Sequence, residues 1–179
     1  MSDYRVARRY AKSLLDLSIE KNVLDNIKED FLMLDEIIEG NRELKLLLKN
    51  PVIKHEVKRG ILIKMLTGKV HDITLSFIDI ICRKGRESLL HPMAREFRRQ
   101  YNDFKSIQVA RIVTSIPLNN TMRSEFVELI KEISGKKEVK LEEELSEEII
   151  GGFILNVGDK RIDSSVHGKL QKIKRLLIA

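Results

Sequence analysis

The chain has 179 residues, of which 34% are charged and 42% hydrophobic, a balance typical of a soluble globular protein. A net charge of +6 favours acidic partners or an anionic membrane surface, but it is too dilute to indicate nucleic-acid binding by itself. The single cysteine, Cys82, excludes an intrachain disulfide and is interpreted as a small core residue. No apolar stretch approaches the ~20 residues of a membrane-spanning helix, and the first residues lack the apolar core of a signal peptide.

The first half of the chain predicts a succession of short helices. With only 9 glycines and 3 prolines in the whole chain, few residues interrupt helix formation. Ser2 or Asp3 is expected to cap the first helix, whose apolar residues recur at helical spacing. The second helix is expected to end at Gly40-Asn41, a pair that indicates a left-handed C-terminal cap.

Four further helices complete this half. The third is expected to stop at Asn50-Pro51, because the residue before proline avoids helical backbone. The fourth ends at Gly68, and the fifth runs from about Asp72 to Lys84. Since the fifth is apolar on nearly all sides, it is expected to be buried deeply, or buried on one side and covered by a partner on the other. A sixth helix follows.

The hydrophobic period changes near residue 105, which predicts two domains, 1–105 and 106–179. Residues 108–115 alternate as a strand, and one of Asn119, Asn120 and Thr121 is expected to cap the next helix. A strand near Val139 and Leu141 follows. The glutamates from 142 onward are interpreted as a solvated acidic surface.

A hairpin and a helix are predicted at the C-terminal end. Phe153 to Val157 is short and rich in β-forming residues, so it predicts a strand. Gly158-Asp159 suits a two-residue turn whose first position needs positive φ, and Lys160 to Asp163 would return. The preceding Gly151-Gly152 indicates backbone too crowded or twisted for a Cβ. Asp163, Ser164 or Ser165 is expected to cap a basic amphipathic helix that runs to the end, with Val166, Leu170, Ile173 and Leu177 on its apolar side.

Several short motifs occur in an order that covers the whole chain. They are Arg9-Tyr10-Ala11, Leu47-Leu48-Lys49-Asn50-Pro51, Lys84-Gly85-Arg86 with Leu89-Leu90, Gly151-Gly152-Phe153, Val157-Gly158-Asp159 and Asp163-Ser164-Ser165-Val166. Taken together, they resemble the delta subunit family of ATP synthase, which includes the mitochondrial oligomycin-sensitivity-conferring protein. The family more often has Asp-Gly-Ser where this chain has Asp163-Ser164-Ser165.

The resemblance implies a mainly α fold, with an N-terminal six-helix bundle and a small C-terminal α/β domain. It also implies a function, that of a non-catalytic stator subunit of F-type ATP synthase. Such a subunit links the catalytic alpha/beta hexamer to the membrane-anchored b subunits of the peripheral stalk. It resists the torque of the rotor during proton-driven ATP synthesis. The implied location is peripheral, in a hetero-oligomeric complex at the cytoplasmic face of the bacterial plasma membrane, without direct insertion.

The resemblance also implies two binding surfaces. In the family, the first and fifth helices of the bundle form a groove for the N-terminal helix of an alpha subunit. The residues expected to line that groove here are Ala7, Tyr10, Ala11, Leu14, Leu75, Ile78, Ile81 and Cys82, although the same residues would serve equally to pack the bundle. The residues expected to meet the C-terminal ends of the b subunits are Gly151, Gly152, Phe153, Gly158, Asp159, Asp163 and Val166, which also suit a purely structural role.

No catalytic, cofactor or metal site is predicted. The sequence lacks a phosphate-binding Walker loop and a Gly-x-Gly-x-x-Gly motif. The histidines, His55, His71, His91 and His167, do not pair with one another or with cysteine at metal-ligand spacing.

Two other function classes stay open. The first is a basic nucleic-acid-binding protein, suggested by a pI near 9.4, which would bind with a steep salt dependence. The second is an enzyme whose triad assembles only in three dimensions and would sit in a deep polar pocket.

Overall fold

The computed structural model describes residues 3–178, so the expected cap at Ser2 lies outside the described residues. The chain divides into two compact units, Met1–Tyr101 and Asn102–Ala179. The predicted boundary, between residues 105 and 106, lies close to this division.

The first unit is helical, as predicted. Its helices are α1 (Asp3–Glu20), α2 (Leu24–Gly40), α3 (Arg42–Lys49), α4 (His55–Leu66), α5 (Asp72–Arg83) and α6 (Leu90–Phe104), with a short 3₁₀ turn over Glu87–Leu89. The residues that are fully buried and largest in this unit include Ile27, Leu34, Ile38, Leu62, Leu66, Ile78, Ile81 and Phe97.

The junction of α2 and α3 differs from the prediction of a left-handed cap. Gly40 is the last residue of α2, and Asn41 is extended, with φ −118° and ψ 98°. The Asn41 side chain instead accepts a hydrogen bond from the Leu44 backbone N–H at 3.0 Å and so caps the start of α3. The prediction was wrong because one residue separates the two helices, and Asn41 serves the second of them.

Two buried charged side chains join separate segments of the first unit by hydrogen bonds. Asp30 on α2 is buried, and its Oδ2 accepts hydrogen bonds from the His71 backbone N–H at 2.8 Å and from Thr74 Oγ1 at 2.5 Å. The Lys58 ammonium on α4 is also buried and donates to Glu87 Oε1 at 2.8 Å and to the Leu48 carbonyl at 3.1 Å. These contacts join segments that are distant in sequence and leave few alternatives for their packing.

The second unit has a four-stranded sheet and two helices, as the α/β prediction requires. Its elements are β1 (Ile107–Thr114), α7 (Asn120–Ser134), β2 (Glu138–Leu145), a 3₁₀ turn over Glu147–Ile149, β3 (Phe153–Val157), β4 (Lys160–Asp163) and α8 (Val166–Ile178). The strand order is β2-β1-β3-β4. β1 and β2 are parallel and are connected through α7, whereas β1–β3 and β3–β4 are antiparallel.

The core of the second unit lies between α7 and one face of the sheet. It contains the buried residues Ala110, Ile112, Leu118, Ile130, Leu155 and Val157. Asn119 caps α7 by accepting from the Met122 N–H at 2.7 Å, and Gly135 ends the helix with φ +67°. Successive side chains of a strand point to opposite faces of the sheet. The alternation of β1 therefore directs Ala110 and Ile112 toward α7.

β2 is longer than the sequence suggested. The glutamates interpreted as a solvated stretch are exposed, but residues 142–144 are part of the strand and pair with β1 along Arg111 to Val113. Arg111 Nη2 lies 2.7 Å from Glu144 Oε2, and Arg123 Nε donates to Glu143 Oε1 at 2.7 Å. The sequence missed this extension because consecutive glutamates lack the apolar alternation of a half-buried strand.

Within residues 3–178, no helix combines the length and the apolar character that crossing a lipid bilayer requires.

Candidate partner-binding surfaces

The predicted groove residues on α1 mostly face the interior of the helical unit. Ala7 and Ala11 are each 1% exposed and Leu14 is buried, whereas Tyr10 is half-buried. In this chain by itself, the two small alanines therefore pack against neighbouring helices. An enlarged side chain at either position would disrupt the bundle before it could report on a partner.

The predicted groove residues on α5 are distributed in the same way. Ile78, Ile81 and Cys82 are fully buried, and Leu75 is half-buried. Burial, together with the carboxylates of Glu87 and Asp79, raises the pKa of the Cys82 thiol to about 11. The thiol is consequently protonated at neutral pH, which fits the predicted core role and not that of a nucleophile.

A second apolar stripe on the same two helices is accessible. On α1, Tyr10 and Leu17 lie seven residues, or about two turns, apart on one side of the helix. On α5, Phe77 is half-buried and Ile80 is 50% exposed. The rings of Tyr10 and Phe77 contact edge to face at 6.4 Å between centroids, so the two helices are neighbours at this point. We call Tyr10, Leu17, Phe77 and Ile80 the α1/α5 stripe.

Charged groups stand beside this stripe and hold its geometry. Arg86 Nη1 donates a hydrogen bond to the Tyr10 hydroxyl at 2.5 Å, which ties the end of α5 to α1. Asp79 accepts from Arg59 on α4 and lies 2.8 Å from Arg83 Nε on α5. Ile80, the next residue, is half exposed and so lies on the outer side of α5.

The residues predicted to meet the b subunits form the joint between the hairpin and α8. Gly152 has φ +77°, and a Cβ there would lie 2.4 Å from the Ser164 carbonyl oxygen. Gly158 has φ +57° at the first position of the predicted turn, followed by exposed Asp159. The Phe153 ring packs edge to face on Phe126 at 4.9 Å.

The remaining residues of this set position the start of α8. Asp163 Oδ1 accepts from the Ser165 N–H at 3.0 Å and from Ser165 Oγ at 2.6 Å. Those two hydrogen bonds lower the pKa of Asp163 below its usual range. Ser165 in turn caps α8 by accepting from the Gly168 N–H at 2.9 Å. A Cβ on Gly151 would contact Val166 at 3.4 Å. The predicted crowding and twist are therefore found at Gly152, whereas a Cβ at Gly151 would make only an ordinary side-chain contact.

The apolar side of α8 extends beyond that joint into solvent. Leu170 and Ile173 are about half exposed, and Leu177 is 82% exposed. Nearby in the same unit, an apolar depression of about 150 Å³ opens at the end of the sheet. It is lined by Thr114, Ser115, Ile116, Leu118, Met122, Phe126, Gly152 and Phe153. Of these lining residues, only Gly152 and Phe153 were among those predicted to meet the b subunits. The others could not be predicted, because residues exposed at the ends of strands show no periodic pattern in the sequence.

Comparison with known proteins identifies the family. The family model described as ATP synthase delta (OSCP) subunit matches residues 6–177. ATP synthase subunit delta of Cytophaga hutchinsonii is 36% identical over 174 residues, covering 97% of this chain and 94% of the relative. This chain belongs to the ATP synthase delta (OSCP) subunit family. The family that the sequence motifs predicted is therefore confirmed, and the predicted stator role agrees with it.

Members of the family similar to this chain come from bacteria and from plastids. ATP synthase subunit delta of Chlorobaculum parvum is 34% identical over 179 residues, covering 100% of this chain and 98% of the relative. The chloroplastic delta subunit of Ochrosphaera neapolitana is 30% identical and is covered to 99%. A chain in the cryo-EM structure of the Toxoplasma gondii mitochondrial ATP synthase hexamer shares the fold, with a TM-score of 0.73 at 19% identity over 97% of both chains. None of these similarities supports the nucleic-acid alternative.

Proposed function

We propose that this chain is a non-catalytic stator subunit that links the alpha/beta hexamer of an F-type ATP synthase to the b subunits of its peripheral stalk. The observation that carries this proposal is the match to the delta (OSCP) family over nearly the whole chain. Its place would be peripheral, at the cytoplasmic face of the bacterial inner membrane. The exposed apolar surfaces on both units are what a linking protein needs, because each unit can hold a different partner.

The first partner is the N-terminal helix of an alpha subunit, bound along the α1/α5 stripe. The stripe presents an apolar surface on two neighbouring helices, which suits an amphipathic helix with its apolar side down. Because Ile80 is already half covered, removing the rest of it from water would contribute about 1 kcal/mol, roughly half of the value for a fully exposed side chain. Several such side chains supply part of the ~12 kcal/mol that nanomolar binding requires, whereas exposed ion pairs contribute little.

The second partner is the C-terminal segment of a b subunit, bound by the second unit. The apolar side of α8 offers Leu170, Ile173 and Leu177 along one side of a helix. The predicted residues Gly151 to Val166 contribute chiefly by fixing where α8 begins. A helix of the b subunit packed on α8 would remove these side chains from water, which the chain alone does not do.

The decisive experiment is calorimetric titration of the full chain with a peptide of the first ~20 residues of the alpha subunit, a helix of about 30 Å. We expect tight one-to-one binding that changes little between low and high salt. Ile80→Glu should weaken binding at least ~30-fold, because a charge replaces a buried apolar contact. Leu46→Glu is the matched control, since Leu46 is 60% exposed and lies on α3, which contributes no residue to the stripe.

Three results would contradict the proposal. They are no binding at micromolar peptide, equal weakening by both variants, or affinity that collapses with salt. The last would favour a charge-driven partner, as the nucleic-acid alternative requires.

A further inference from the structure

Three potential metal ligands converge between α2 and α6 of the helical unit. Asp35 and Glu39 are four residues apart on α2, so they lie on the same side of the helix, one turn apart. His91 is at the start of α6. Its Nε2 lies 3.1 Å from Asp35 Oδ1 and 3.4 Å from Glu39 Oε1, and one ligand atom from each residue lies within 4.8 Å of the other two.

Two of these atoms are buried without a hydrogen-bond partner. Asp35 Oδ1 and His91 Nε2 are shielded from solvent, and the Asp35 side chain is only 8% exposed. An unsatisfied buried polar atom destabilises a fold, and more strongly when it is charged. The two atoms lie 3.1 Å apart, but the contact lacks hydrogen-bond geometry, so a metal ion bound by both would satisfy them. The competing occupant is a proton on His91 Nε2, shared with the Asp35 carboxylate.

The spacing fits a metal ion of defined geometry. Zinc binds His nitrogen and carboxylate oxygen at about 2.0–2.2 Å, and tetrahedral geometry then separates neighbouring ligand atoms by about 3.3–3.5 Å. The separations of 3.1 and 3.4 Å from His91 Nε2 to the two carboxylate oxygens are close to this value. Imidazole and carboxylate ligands together suit zinc and neighbouring transition metals, with water completing the coordination.

The charges around the group permit a metal but limit its affinity. Arg95 Nη2 lies 3.0 Å from Glu39 Oε1, and Arg98 Nη1 lies 3.8 Å from Asp35 Oδ2. Arg98 therefore leaves Asp35 Oδ1 available, whereas Arg95 competes for Glu39. Since Glu39 and Arg95 are about half exposed, Glu39 can rotate and present either oxygen, and an ion can enter from that side.

We propose that Asp35, Glu39 and His91 form a zinc-binding site that fastens α2 to α6. The sequence predicted no metal site because spacing along the chain relates only residues near one another, and these ligands come from two separate helices. The site shares no residue with the α1/α5 stripe or with α8, and the proposal does not depend on the proposed function. We expect micromolar affinity, since two arginines oppose the ion.

The test is calorimetric titration of the full chain, freed of metal by a chelator, with zinc chloride. We expect one zinc ion per chain and a rise in the melting temperature. His91→Ala should weaken binding by at least the ~10- to 100-fold that changes around metal ligands cost. His167→Ala, which removes an exposed histidine of α8, should leave this binding unchanged.

Two further measurements distinguish loss of zinc binding from misfolding of a variant. Glu39→Gln alters a half-exposed ligand and should weaken zinc without loss of helical circular dichroism. Cobalt in place of zinc should give visible absorption bands of a four-coordinate ion, which vanish on acidification because a proton takes the His91 nitrogen. Absence of saturable one-to-one binding, or equal binding by the His91→Ala and wild-type chains, would overturn the proposal and leave Asp35, Glu39 and His91 as a proton-bridged contact.

Discussion

At the scale of single residues, buried polar groups decide how the helical unit packs. Asp30 is the clearest case, because one carboxylate oxygen accepts both the His71 N–H and the Thr74 hydroxyl. It fastens the N-terminal end of α5 to α2, although α3 and α4 lie between these two helices in the sequence. Hydrogen bonds to a charged acceptor are about twice as strong as neutral ones.

We therefore expect Asp30→Ala to lower the free energy of unfolding by about 3–4 kcal/mol, since it leaves two donors without their acceptor. Asp30→Asn keeps one acceptor oxygen and should cost about half as much. The measurement is urea unfolding followed by circular dichroism. Asp16→Ala is the control, because Asp16 is exposed on α1 and its removal should change stability by less than ~0.5 kcal/mol. Similar losses in Asp30→Ala and Asp16→Ala would show that the buried contact contributes nothing.

At the scale of elements, two glycines make opposite demands on the backbone. Gly152 has φ +77°, and a Cβ there would lie 2.4 Å from a backbone oxygen of the α8 joint. Gly60 lies in the middle of α4, and a Cβ there would meet nothing within 4 Å. The first glycine is required by the fold, whereas the second only weakens a helix.

Alanine at these positions should therefore have effects of opposite sign. Gly60→Ala should stabilise the chain by roughly 0.5–1 kcal/mol, because alanine has the higher helix propensity. Gly152→Ala should destabilise it by at least ~2 kcal/mol, since both the backbone angle and the clash oppose a side chain. Thermal unfolding of the two variants beside the wild type measures both effects. A stable Gly152→Ala chain would contradict the account of the joint.

The same elements show what could be predicted from sequence. β3 and β4 have the predicted bounds. Gly151-Gly152 precedes β3 and Gly158-Asp159 separates β3 from β4, and glycine is the residue that turns with positive φ favour. The groove residues on α5 were a harder problem. A helix that is apolar on nearly all sides has two possible inner faces, and its sequence does not say which one packs. Only the tertiary contacts place Ile78 and Ile81 inside and leave Ile80 outside.

At the scale of the whole molecule, the chain is two compact units with separate apolar surfaces. The α1/α5 stripe belongs to the first unit, and the apolar side of α8 belongs to the second. Since the two surfaces share no residue, changes in one should leave the other partner's affinity unaltered.

Crossed titrations test this independence. Leu177→Glu should weaken binding of a fragment from the C-terminal end of the b protein while the alpha peptide binds as to the wild type. Ile80→Glu should do the reverse. The expected loss for each matched pair is at least ~30-fold, from one apolar contact replaced by a charge. If either variant weakened both partners equally, the proposal that each unit holds its own partner would be wrong.

The way α8 is attached has a consequence for how a partner is held. Its first turn is anchored by the Ser165 cap and by the hydrogen bond from Val166 N–H to the Gly151 carbonyl at 2.9 Å, whereas its later residues are exposed. An isolated helix of this length is marginal in water. We therefore expect the outer turns of α8 to fray more readily than its capped first turn. A partner covering them would use part of the contact free energy to order the helix, and its dissociation would begin by fraying from the free end.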